Sequence, residues 1–205
     1  TATAGDVTVK ATEKTTLDST AGAASAGGSA SGGISLNLVI LNGTAEARLG
    51  GNVQADAGNV RVIAENILNV DNMMAIGGGA AGSASMAGTI TILKVGEQAK
   101  AYIAPNAVVA AGGNVIISGV VEGAYIEAGG NIIIARGMNG MAKGTLKAGG
   151  NIVAKFLENA TASAGGYVST ESILHSNVIA ATEIQVTGKR GFITGGHVRA
   201  GQKIE

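Results

Sequence analysis

Ala111-Gly112-Gly113-Asn114-Val115, Ala128-Gly129-Gly130-Asn131-Ile132 and Ala148-Gly149-Gly150-Asn151-Ile152 are three copies of one five-residue word. Looser copies follow at Ala164-Gly165-Gly166-Tyr167-Val168, Ala180-Ala181-Thr182-Glu183-Ile184 and Ala200-Gly201-Gln202-Lys203-Ile204, so the closing apolar residues are spaced 17, 20, 16, 16 and 20 apart. Six residues before each closing residue stands another apolar one: Val109, Ile126, Leu146, Ala162, Val178 and Val198. A constant offset inside a coil of varying length marks a fixed corner joining two short strands. One such coil cannot bury its apolar face alone, but stacked coils bury a continuous one. The expected fold is therefore all-β: a single-stranded parallel, right-handed β-helix, or β-solenoid, with the apolar positions stacked inward as ladders. Glycine at the corners is expected to supply positive φ. Asn114, Asn131 and Asn151 fall one coil apart, where side-chain amides can hydrogen-bond along the stacking axis.

The first half carries a longer repeat. Ala4-Gly5-Asp6-Val7 returns as Ala57-Gly58-Asn59-Val60, and Gly28-Ser29-Ala30-Ser31 returns as Gly82-Ser83-Ala84-Ser85, shifts of 53 and 54. A unit of about 54 residues reads as three coils of about 18, giving roughly eleven coils of 16–20 residues in one continuous rod of roughly 50 Å. Ile34-Ser35-Leu36-Asn37-Leu38 and Thr89-Ile90-Thr91-Ile92 alternate with the period of strands that have one buried face. Thr20 to Gly33, built of small residues, reads as one tight coil. Two segments follow, 1–105 with two repeats of about 54 residues and 106–205 with the short coils.

Composition fits a thin interior. Gly is 34 of 205 residues, aromatics are 2% and Trp is absent, so a thick core of bulky side chains is excluded. Apolar residues at 46% against charged residues at 14% also exclude disorder. Fourteen basic and fourteen acidic groups leave no basic footprint for nucleic acid. No cysteine is present, which removes disulfides and thiol catalysis. The uncharged stretches are broken by Gly, Ser, Asn and Thr, so no transmembrane segment is expected. With no Met start and no leader, the sequence reads as a segment of something longer.

No catalytic, cofactor or metal site is expected, and no cofactor. Glu122 and Glu127 are the nearest acidic pair in the second half, but their odd separation puts them on opposite faces of an extended strand. His175 and His197 lie about one coil apart and lack a third ligand for a metal. Gly112-Gly113 and its copies lead into strands instead of opening the helix that a nucleotide-binding loop needs. The aspartate-bearing nonapeptide of calcium-binding β-rolls is absent. Lys189-Arg190 reads as a solvated turn. Asn159-Ala160-Thr161 matches a glycosylation sequon but reads as a corner, and Asn42-Gly43-Thr44 matches the same sequon.

Particular phrases carry resemblances. Lys147-Ala148-Gly149-Gly150-Asn151-Ile152, Ala154-Lys155-Phe156-Leu157-Glu158-Asn159-Ala160, Glu171-Ser172-Ile173-Leu174-His175-Ser176-Asn177-Val178 and Gly188-Lys189-Arg190-Gly191 make residues 106–205 resemble the β-solenoid domain of the bacterial flagellar assembly protein A family. Val7 to Lys10, the small-residue stretches and Thr44 to Arg48 make residues 1–105 resemble repeats of filamentous haemagglutinin-type or leukotoxin-type adhesins. The adhesin resemblance implies a non-catalytic surface rod or spacer, extracellular, in contact with a host or cell surface. Such a rod would self-stack head to tail through its open ends, near Asp6 and Lys203. The flagellar resemblance implies instead a cytoplasmic protein-interaction module. A carbohydrate-active β-helix enzyme is the third reading.

Overall fold

The computed structural model describes residues 1–188 and 191–205; Lys189 and Arg190, the expected solvated turn, lie outside the described residues. The described chain is all strand and turn, and its strands pair in parallel. In chain order they are β1 (Val7–Gly27), β2 (Ala30–Leu41), β3 (Thr44–Leu49), β4 (Asn52–Ala55), β5 (Val60–Ala81), β6 (Ala84–Val95), β7 (Gln98–Ile103), β8 (Val108–Ala111) and β9 (Val115–Ile117). Then come β10 (Val120–Glu122), β11 (Tyr125–Ala128), β12 (Ile132–Ala148), β13 (Ile152–Ala164), β14 (Val168–Thr170), β15 (Ser172–Ala180), β16 (Glu183–Val186), β17 (Phe192–Ala200) and β18 (Lys203–Ile204). The chain forms two compact units: one of Thr1–Ala11, Glu46–Glu65 and Lys100–Glu205, the other of Thr12–Ala45 and Asn66–Ala99.

The first unit is a parallel β-solenoid with three strand faces around one core. Along one face β5, β9, β12, β13, β14, β16 and β18 pair in succession, and Val60, Val115, Ile132, Ile152, Val168 and Ile184 stack as a fully buried ladder. A second ladder is Ile103, Val121, Met138, Leu157 and Ile173. The third is the expected one, Val109, Ile126, Leu146, Ala162 and Val178, buried in register, with Val198 half-buried on the last coil. Three ladders, mostly of Val, Ile, Leu and Met, converge on one core, and no aromatic side chain among the described residues is buried there. Each fully buried Val, Ile or Leu stabilises the stack by about 1.5–3 kcal/mol.

The corner word works through two side-chain sizes. The Oδ1 of each corner residue accepts the backbone N–H of the next: Asn59 donates to Asp6 (2.9 Å), Asn114 to Asn59, Asn131 to Asn114 and Asn151 to Asn131 (2.8 Å each), and Tyr167 to Asn151 (2.9 Å). The expected amide ladder is present and runs further back, to Asn59 and Asp6. The glycines serve a different purpose from the expected one: positive φ occurs at Gly5, Gly51, Gly123, Gly195 and Gly196, and none of the Gly-Gly corner pairs is among them. What they supply is clearance. A Cβ on Gly129, Gly149 or Gly165 would collide with the carbonyl oxygen of the corner glycine one coil below, and one on Gly113, Gly130 or Gly150 would strike an Asn side chain of the ladder.

The second unit is built from the longer repeat. Strand β1 runs unbroken for 21 residues, turns at Gly28-Ser29, and returns as β2; β5 and β6 repeat this path one layer on, β5 beside β1 and β6 beside β2. The 54-residue repeat is thus one coil, not three, and Thr20 to Gly33 is the far turn of a long loop instead of a tight coil. The corner positions Val7, Val60, Val115, Ile132, Ile152, Val168, Ile184 and Ile204 divide the chain into seven coils instead of eleven, two of them long. The reason is local: no Gly-Gly-Asn word interrupts β1 or β5, so the alternation has nothing to turn it.

Inside this unit the buried side of β2 is the polar one. Gly33, Ser35 and Asn37 are buried, while Ile34, Leu36, Leu38 and Ile40 point outward. Asn37 spans the interior: its Nδ2 donates to the carbonyls of Ser19 (3.1 Å) and Met74 (2.9 Å), and its Oδ1 accepts the Ser19 hydroxyl (2.9 Å). Gly33 and Gly78 meet backbone to backbone, leaving no room for a Cβ on Gly33.

Candidate functional surface

The first unit presents one face on which register alone decides which side chains meet. Strands β4, β8, β11, β12, β13, β15 and β17 lie side by side there. Flanking the inward ladder are two outward columns. One reads Asn52, Val108, Tyr125, Thr145, Thr161, Asn177, His197; the other reads Gln54, Ala110, Glu127, Lys147, Ser163, Ile179, Arg199. At about 4.8 Å per layer the columns extend for roughly 29 Å. Two surface grooves follow them, one past Gln54, Glu127 and Lys147, the other past Lys143, Thr161, His175 and Asn177.

The polar groups on this face hold one another in place. The Tyr125 hydroxyl donates to Glu127 (2.5 Å), and the Lys147 ammonium lies 5.3 Å from the Tyr125 ring centroid. The Tyr125 oxygen, and then the Glu127 charge, hold the Lys147 ammonium above its ordinary range. Lys143 donates to Asn106 (2.7 Å). Elsewhere in this unit Tyr102 donates to Glu46 (2.7 Å), and that hydrogen bond raises the phenol above its usual value.

The residues considered for chemistry fall apart or remain alone. Glu122 ends β10 and Glu127 lies in β11, with the chain turning between them at Gly123 (φ 49°), so they occupy separate strands instead of opposite faces of one strand; both are exposed. His175 and His197 are on neighbouring coils, but His197 pairs with Asn177, two residues beyond His175. Among the described residues no three His, Cys, Asp or Glu side chains are grouped to hold a metal ion. His175 (φ 45°) and Asn159 (φ 47°) hold left-handed backbone at one edge of the face, which makes Asn159-Ala160-Thr161 a corner. Sequence reading missed this edge, because its residues, Met141, Ala142, Asn159 and His175, share a backbone conformation and no residue type.

Residues 98–205, more than half of the chain, match the family model of the Flagellar Assembly Protein A beta solenoid domain. The chain belongs to the flagellar assembly protein A family. No curated protein and no solved structure is detectably similar to it. The family match takes in β7 to β18, so six of the seven strands of the polar face are flagellar assembly protein A solenoid. No helix among the described residues is long and apolar enough to cross a membrane.

Proposed function

We propose that this chain is a non-catalytic, cytoplasmic protein-interaction module of the flagellar assembly protein A type, and that the two outward columns are its contact surface. The observation that carries this reading is the family match over residues 98–205, the segment whose register builds most of those columns. Tyr125, Glu127, Lys147 and Arg199 give the face one aromatic and both signs of charge, the mixture that selects protein partners by complementarity. The match favours this role over the surface-adhesin spacer, whose support is confined to the resemblance of residues 1–105. The edges of β1, β17 and β18, each paired on one side only among the described residues, suit end-on association of copies as a secondary property.

The test is capture in flagellated bacterial cells with a photo-cross-linking residue at Ser163, exposed in the middle of the second column. A defined cytoplasmic adduct, lost in the Lys147→Glu/Arg199→Glu variant, is the expected result. A chain recovered outside the cell, or degraded by protease added to intact cells, contradicts the reading.

A further inference from the structure

Strands β2 and β6 form a two-stranded sheet of their own, in register from Ala30↔Ala84 to Leu41↔Val95. Its outward face is apolar: Ile34, Leu36, Leu38 and Ile40 on β2 are 54–77% exposed. On β6, Met86, Ile90 and Ile92 add to it at 47–78% exposed. The only charge on that side is Lys94, opposite Ile40 at one end. The opposite face is polar at the buried Gly33, Ser35 and Asn37 and turns apolar toward Val39, Leu41, Leu93 and Val95 at one end. A two-stranded sheet is marginal alone and needs its apolar face packed.

We infer that this face is a dimerisation surface and that its occupant is a second copy of the chain, packed sheet against sheet about a two-fold axis. The seven apolar side chains expose on the order of 800 Å², what each partner of a standard protein interface buries. A flat strip without a central charge or pocket is complementary to itself, as an isologous contact requires. Two such sheets at about 10 Å spacing complete a four-stranded sandwich. This surface is built by strands of the second unit and the columns by strands of the first, so either inference can fail without the other.

Sedimentation of the full chain from 1 to 100 μM tests it. The expected result is a concentration-dependent dimer, weakened at least tenfold by Leu36→Glu, with far-ultraviolet circular dichroism unchanged. Because the native chain has no cysteine, Leu38→Cys supplies an independent readout: a disulfide-linked dimer under mild oxidation, with Ser163→Cys remaining monomeric. A wild-type chain monomeric at 100 μM overturns the proposal. So does a dimer indifferent to Leu36→Glu that also fails to cross-link through Leu38→Cys, since another surface then holds it. Flotation of a monomeric chain with phosphatidylcholine vesicles, abolished by Leu36→Glu, overturns it in favour of a lipid surface.

Discussion

The short coils and the long coils of this protein use the same alternation of side chains with opposite polarity. In the short coils, 16–20 residues long, a Gly-Gly corner turns the chain and Val, Ile, Leu and Met point inward. In the long coils no such corner intervenes for more than twenty residues, the interior mixes Gly, Ser, Ala and Asn with Leu17, and much of the aliphatic surface is outside. Alternation makes a strand, the corner word decides where it ends, and neither fixes which face is buried. In the short coils three converging ladders create a dry interior. In the second unit strands meet at Gly33 and Gly78, and the side chains buried around that approach include Ser35 and the hydrogen-bonded Asn37.

The largest break in this comparison comes from charging one apolar position of the alternation in each region, an inward one in the short coils and an outward one in the long coils. Ile132→Asp puts a carboxylate between Val115 and Ile152 in a fully buried ladder and should cost about 4 kcal/mol. Leu36→Asp, on an exposed position, should change stability by less than about 0.5 kcal/mol at concentrations where the chain is monomeric. Urea unfolding of the two variants measures the contrast.

Adding a methyl group separates the regions less sharply. Gly149→Ala drives a Cβ into the Gly129 carbonyl and should cost about 2 kcal/mol. Gly32→Ala meets only the Met86 carbonyl at 3.8 Å, an ordinary contact, and should leave the melting temperature unchanged within about 2 °C. Smaller again is loss of one rung of the amide ladder. Asn131→Ala removes the acceptor of the Asn151 N–H and should cost about 1 kcal/mol. Removing Asn37 from the polar interior should cost at least as much, because two carbonyls lose their donor together.

The smallest effect is set by pH at the first corner, the one ladder position held by a carboxylate. The Asn59 backbone N–H, then the Asn59 amide and Arg61, hold Asp6 below its ordinary value of 3.8. A lowered folded value contributes stability above pH 3.8 that is lost as the pH falls through the folded value. The protection of the Asn59 amide, measured relative to its intrinsic exchange rate, should therefore fall in acid below pH 3.8, and Asp6→Asn should abolish that dependence while keeping the ladder.

Much of the solenoid was legible because its corner word joins sequence to geometry directly. The offset of six located the ladder from Val109 to Val178, and the repeated Asn located the hydrogen-bonded corner. The long coils were misread because 54 is three times 18, and the repeat length alone does not distinguish one coil from three. The missing Gly-Gly-Asn word between Lys10 and Gly27 was the signal that does. The inversion in β2 was not legible, because Ile34-Ser35-Leu36-Asn37-Leu38 alternates equally well with either face inside. Its sense is fixed by Asn37 reaching Ser19 and Met74 across the interior, partners distant in sequence. The outward columns follow from register, but the left-handed edge at Asn159 and His175 has no counterpart in composition or spacing.

The central claim is that each long repeat is a single coil, and an engineered disulfide tests it most directly. Asn72 donates to Asp18 at 3.1 Å across a sequence separation of 54, so the two residues sit on adjacent layers. With both replaced by cysteine in a chain that has none of its own, mild oxidation at high dilution should close an intrachain disulfide, detected by mass spectrometry. Failure to form that bond in a folded, monomeric chain would mean that the two residues stand three layers, roughly 14 Å, apart, and the single-coil account would be wrong.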